Sequence, residues 1–157
     1  MCEYCGCQSL TAIHELTREH DAVVALISSV RDARRDRDMP RMAELARRIA
    51  AVLAPHTEVE ERGLFPAMFT EFPEQIAALE AEHRSVETVL AEAAEAVPAD
   101  PTWPERLIGV LDLLRDHILK EQDGVFPAAL ATLEPEQWEA VEAVRARVGT
   151  ADPRPTS

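Results

Sequence analysis

Four histidines and two glutamates recur in this chain at spacings that a metal ion could use. The segment Leu53 to Pro66, LAPHTEVEERGLFP, carries His56, then Glu60 four residues on, and closes on Phe65-Pro66. Leu114 to Pro127, LRDHILKEQDGVFP, repeats it with His117, Glu121 and Phe126-Pro127. An α-helix turns once in about 3.6 residues, so each His-Glu pair stacks on one helix face. A second pattern supplies two more imidazoles. Ile13, Leu16, His20, Val23, Ile27 and Val30 match Ile76, Leu79, His83, Val86, Leu90 and Ala93 at a constant offset of 63 residues. A glutamate precedes each histidine, as Glu19-His20 and Glu82-His83. The chain is two copies of one helix–helix unit: a histidine in an apolar seam, then HxxxE.

A lone histidine on an apolar face is usually a hydrogen-bonded core residue. Four in equivalent places, two with a glutamate one turn away, are another matter. Burying Glu60 and Glu121 as unpaired anions would cost on the order of several kcal/mol each. No Lys or Arg shares their seam, whereas a cation between the helices would neutralise both. Imidazole and carboxylate without thiolate suit iron, zinc or manganese. Two carboxylates able to bridge favour a dinuclear site with ions about 3.5 Å apart.

Five helices must position these groups. The first is expected from about Ser9 to the mid-thirties, ending in the charged stretch RDARRDRDMP, a solvated helix end. Pro40 opens the second with Asp38 as N-cap. Its seam Ala46, Ile49, Ala50, Leu53, His56, Glu60 recurs 61 residues later as Leu107, Val110, Leu111, Leu114, His117, Glu121. Pro55 should kink the second helix beside the site. The third is expected from Pro73 to Val97, where Pro98-Ala-Asp-Pro101 ends it. A capping box of Thr102 and Glu105 should open the fourth. A fifth, Pro135 to Val148, carries Trp138, Val141 and Val144 on one stripe. Short connections between long helices predict an all-α fold, an up-down-up-down four-helix bundle with a short C-terminal fifth helix. The domain plan is a Cys-rich tail over 1–8, the bundle over 9–148 and a disordered tail over 149–157.

The bulk numbers set limits. The chain has 157 residues, 46% apolar and 4% aromatic, with a formal net charge of -13. Such a balance offers no basic face for nucleic acid or an anionic membrane. Unbroken apolar runs in the body, such as Ala22 to Ile27, are too short to span a bilayer. The N-terminus shows no secretory pattern, so a cytoplasmic location is expected. All three cysteines, Cys2, Cys5 and Cys7, fall in the first seven residues. They read as a metal or redox motif, with His14 as a candidate fourth ligand, or as an idle tail.

The duplicated pattern resembles the hemerythrin-like, or HHE cation-binding, family of four-helix bundles, from about Ile13 to Leu130 and including the Phe-Pro endings. The resemblance implies two non-haem iron ions. His20 and His56 would hold one, His83 and His117 the other, with Glu60, Glu121 and an oxo or hydroxo group bridging them. One departure matters. Oxygen-carrying members present two histidines a turn apart on the third helix, whereas this chain has Leu79 and Glu87 four residues either side of His83. One imidazole is missing unless Glu87, Glu80 or His14 replaces it; His14 and Glu87 read better as surface residues, and Glu61 as the weaker bridge beside Glu60. Fewer protein ligands leave coordination positions for a small molecule. The expected role is reaction with O2, H2O2 or NO in oxidative or nitrosative stress. A sensor or oxygen carrier, and an iron-delivery or cluster-repair protein using the N-terminal cysteines, are the alternatives.

Overall fold

The apolar seams decide the architecture, because each helix has one stripe to hide and only another stripe can hide it. The computed structural model describes residues 7–150. Helix α1 is Cys7–Arg35 and α2 is Met39–Val59. A π-helical turn, π1, Glu60–Leu64, continues α2 into the short α3, Phe65–Met68. Helix α4 is Pro73–Ala91 and α5 is Trp103–Lys120. A second π turn, π2, Glu121–Val125, continues α5 into α6, Phe126–Thr132. Helix α7 is Pro135–Val148. In the bundle α1 packs on α2 and α5, and α4 packs on the same two, while α7 lies across α1, α2 and π1. This is the expected all-α bundle with its short fifth helix. Cys2, Cys5 and the chain from Ala151 onward lie outside the described residues.

Every position of the two histidine seams is buried, from Ile13 to Val30 and from Ile76 to Ala93. The apolar part divides in two. One cluster joins Val23, Ile27, Leu45, Ile49, Val86, Leu107 and Leu111. The other joins Leu16, Leu64, Phe65, Leu79, Phe126, Trp138 and Val141. The histidine and glutamate layer sits between them, so both of its faces are sealed by hydrocarbon.

Local details depart from sequence expectation where a tertiary contact overrides it. Asp38 does cap α2, accepting from the Arg41 N–H at 3.1 Å. Helix α2 continues through Pro55, and a change of helix type follows it at π1. Pro66 and Pro127 lack the N–H that an α-helix would donate four residues back, and their rings crowd that carbonyl. A wider turn just ahead of each removes the conflict. The Phe65 and Phe126 amides accordingly donate to the carbonyls of Glu60 and Glu121, five residues back.

Helix α4 stops at Ala91, short of Val97, in tightened turns such as Ala93 N–H to Leu90 O at 3.1 Å. The Trp103 indole takes the Val89 carbonyl at 3.2 Å, and Arg47 takes that of Ala93 at 3.0 Å. The Thr102–Glu105 capping box does not form. The Thr102 amide and hydroxyl both donate to Asp100, and Glu105 pairs with Arg34. A reciprocal box appears instead at α7, between Glu134 and Gln137.

Gly63 and Gly124 occupy equivalent places in the two π turns but face different surroundings. A Cβ on Gly63 would come within 3.0 Å of the Val141 Cα of α7, whereas one on Gly124 would meet nothing within 4 Å. The groove that α7 fills on the first repeat remains an open cleft on the second. It measures about 570 Å³ and is lined by Met68, Phe72, Ile76, Leu79 and Val125. Gly63→Ala should therefore push α7 outward and lower the melting temperature. Gly124→Ala should be neutral or stabilise by up to about 1 kcal/mol through helix propensity. Parallel thermal melts of the two variants check the difference, and equal destabilisation would refute it.

Candidate metal centre

Six side chains from four helical rods converge between the two apolar clusters. His20 comes from α1, His56 from α2, Glu60 from π1, His83 from α4, His117 from α5 and Glu121 from π2. All are buried, and the two glutamates have no solvent exposure. They fall into two sets, His20, His56, Glu60, Glu121 and Glu60, His83, His117, Glu121, each with donor atoms within 4.8 Å of one another. Each carboxylate divides its oxygens between the sets. Glu60 Oε2 lies 3.4 Å from His56 Nε2, while its Oε1 lies 3.1 Å from His83 Nε2. Glu121 Oε1 lies 2.9 Å from His20 Nε2, and its Oε2 3.3 Å from His117 Nε2.

These close approaches do not have hydrogen-bond direction. Both oxygens of Glu60 and of Glu121, with His20 Nε2 and His117 Nε2, find no hydrogen-bond partner among the described residues. Unsatisfied buried carboxylates are costly and rare. Donor atoms about 2.1 Å from one ion, set at a right angle, lie about 3.0 Å apart. The observed separations fit that spacing, so the donor set suits two cations sharing two carboxylates.

The other ring nitrogens are held from outside. His83 Nδ1 lies 2.6 Å from Glu61, His117 Nδ1 2.8 Å from Glu82, His56 Nδ1 2.9 Å from Glu19 and His20 Nδ1 3.0 Å from Gln122. Each such acceptor fixes the tautomer that leaves Nε2 facing the site. Phe126 stacks on His20 with centroids 5.5 Å apart, and Phe65 on His83 at 5.8 Å. The π turns thus place a glutamate of the buried centre at one end and a ring-packing phenylalanine at the other.

The description Hemerythrin HHE cation binding domain matches residues 11–129. The chain belongs to the hemerythrin HHE family. No curated protein and no solved structure matches it. The hemerythrin match runs from the first turns of α1 into α6 and leaves α7 outside. Cation binding is the family's property, and the buried His/Glu sets of this hemerythrin domain could hold metal.

Several candidates from the sequence fall outside the centre. His14 is exposed, and Glu87 is exposed and paired with Arg84. Leu79 is core, and Glu80 belongs to neither set. Glu61 belongs to neither donor set and sits on the outer nitrogen of His83. The roles of Glu19, Glu82, Gln122 and Arg145 go beyond the sequence reading. Glu19 and Glu82 left a trace in their duplicated place before a histidine, yet each serves the histidine of the next helix. Arg145 left none. It donates to Glu19 at 2.8 and 2.9 Å from 126 residues away.

Left to themselves, the six side chains settle their charges with protons. Burial disfavours the His56 imidazolium, but Glu60, Glu19 and Glu121 outweigh it and raise its pKa to about 10. Burial likewise opposes His83, yet Glu60 and Glu61 raise it to about 9. Burial, then the charge of Glu60, pushes Glu121 up to about 8. Against burial, His56 and His83 hold Glu60 well below the usual carboxylate range. Burial and the nearby His83 lower His117. At neutral pH, His56, His83 and Glu121 thus carry protons that an incoming cation must displace. The apparent affinity of chelator-stripped protein for a divalent cation should rise with pH by about tenfold per unit for each displaced proton, and level off toward pH 10. Metal titration in weak buffer with a pH indicator measures the release, and pH-independent affinity would contradict it.

Proposed function

We propose that this protein holds two iron ions in the His20, His56, Glu60, His83, His117, Glu121 centre and uses them to react with O2, H2O2 or NO. The observation that carries this reading is the pair of buried carboxylates whose oxygens are unsatisfied and divided between two imidazole pairs. When bound, such an ion pair supplies redox equivalents and Lewis acidity to a small molecule in an open coordination position. The chain's own groups do the rest. Glu60 and Glu121 keep the two positions together. The four Nδ1 acceptors hold the imidazoles in one tautomer. The apolar clusters on either side exclude water from the layer. Neither Leu79 nor Glu87, four residues either side of His83, supplies a further imidazole to restrict access, which supports irreversible reaction over oxygen carriage.

Iron content and visible spectra of the protein as purified, after reduction, and on exposure to each oxidant test the proposal. About two irons per chain are expected. Glu121→Ala should lose both, His56→Ala should fall toward one, and His14→Ala should keep both. The reduced protein should be oxidised by oxygen or peroxide with bands that do not revert when oxygen is removed. Reversal would make it a carrier or sensor, and a single tightly held zinc would refute the iron centre.

A further inference from the structure

The two halves of the centre are duplicated in sequence but not in their outer contacts. Glu61 and Gln122 hold equivalent places, each directly after a shared glutamate. Glu61 offers His83 a carboxylate oxygen at 2.6 Å, whereas Gln122 offers His20 a neutral amide oxygen at 3.0 Å. A carboxylate accepting from Nδ1–H makes Nε2 a stronger donor than an amide does. Both imidazoles of the second set, His83 and His117, have such a carboxylate; in the first set only His56 does.

That remaining carboxylate is itself neutralised. Arg145 grips Glu19 through two hydrogen bonds, with side chains only 10% and 3% exposed. The second set also has cations nearby, Arg84 on Glu61 and Lys120 on Glu82, each at 2.6 Å. Those cations are 56% and 50% exposed, so water screens them far more than it screens Arg145. The first set therefore has one neutral acceptor and one carboxylate whose charge is largely spent. The second has two carboxylates closer to full charge.

We infer that the two cation positions are unequal: the His83/His117 position binds more tightly and fills first, and Gln122 and Arg145, as positioning residues, weaken the His20/His56 position. The inference rests on the two-ion reading above but not on iron. Arg145 lies beyond the matched family residues, so half of this asymmetry comes from α7. The consequence is one resident ion and one exchangeable ion in a centre that looks symmetric in sequence.

Zinc, which is diamagnetic and redox-inert, tests this on chelator-stripped full-length protein carrying 15N-labelled histidine. With one equivalent of Zn2+, the imidazole 15N signals of His83 and His117 should move to metal-bound positions, and those of His20 and His56 only with the second. Parallel movement of both pairs across two equivalents, or His20 and His56 moving first, overturns the inference and leaves the two-ion reading standing. All four moving together and saturating at one equivalent overturns both. Competition with a chelator then reads the two steps separately. Glu61→Gln should weaken the first step about 10- to 100-fold and spare the second, whereas Gln122→Glu should tighten the second by a similar factor. A merely structural role would weaken both steps together, and that result in Glu61→Gln refutes the positioning role even if Gln122→Glu fails to fold.

Discussion

Two glutamates with no solvent exposure, and no hydrogen bond to either carboxylate among the described residues, impose the condition that the rest of the molecule meets. Charge without water must be matched at close range, and four imidazole nitrogens stand 2.9 to 3.4 Å from the carboxylate oxygens. An imidazole can meet a carboxylate as a proton donor or stand beside it as a fellow ligand, and its second nitrogen then needs a partner of its own. That requirement recruits Glu19, Glu61, Glu82 and Gln122. The three carboxylates among them in turn recruit Arg145, Arg84 and Lys120. The polar groups form nested layers, each satisfying the one inside it.

The same condition explains the backbone. The layer must be dry on both sides, so apolar clusters flank it above and below. A plain α-helix would carry Phe65 and Phe126 past the ring faces they cover. The π turns ahead of Pro66 and Pro127 bring a glutamate and a phenylalanine onto one inward face, five residues apart. Phe65 then stacks on a histidine of the second repeat, and Phe126 on one of the first. The two units are stitched crosswise, so neither half of the centre is complete alone.

Symmetry is broken by α7. It seals the first repeat over Gly63 and delivers a buried guanidinium to Glu19, while the equivalent groove of the second repeat stays open. In that second repeat the cation on Glu82 is Lys120, from the adjoining helix end. A charge brought from within the bundle is left partly in water; one brought by a covering helix is not. Helix α7 thereby acts on the electrostatics of the centre as well as on its packing.

Much of this was legible in the one-dimensional pattern, because helical periodicity converts spacing directly into a shared face. The constant offsets of 63 and 61 identify the duplicated unit, its seams, the six inward donors and the four helices that carry them. Such features are local, decided by a rise and a turn. What the chain could not reveal on its own depends on which helix lies beside which. Glu19 precedes His20 but serves His56, and Glu82 precedes His83 but serves His117. Pro55 announces itself in the sequence, whereas the π turn ahead of Pro66, which lets Phe65 face inward, does not. Helix α4 ends early because Trp103, from another helix, competes for the Val89 carbonyl. Arg145 reaches Glu19 across 126 residues, a distance over which no periodicity operates. The donors were written in sequence by repetition; their partners, their charge balance and the inequality of the two halves were decided only when four helices and a fifth closed around them.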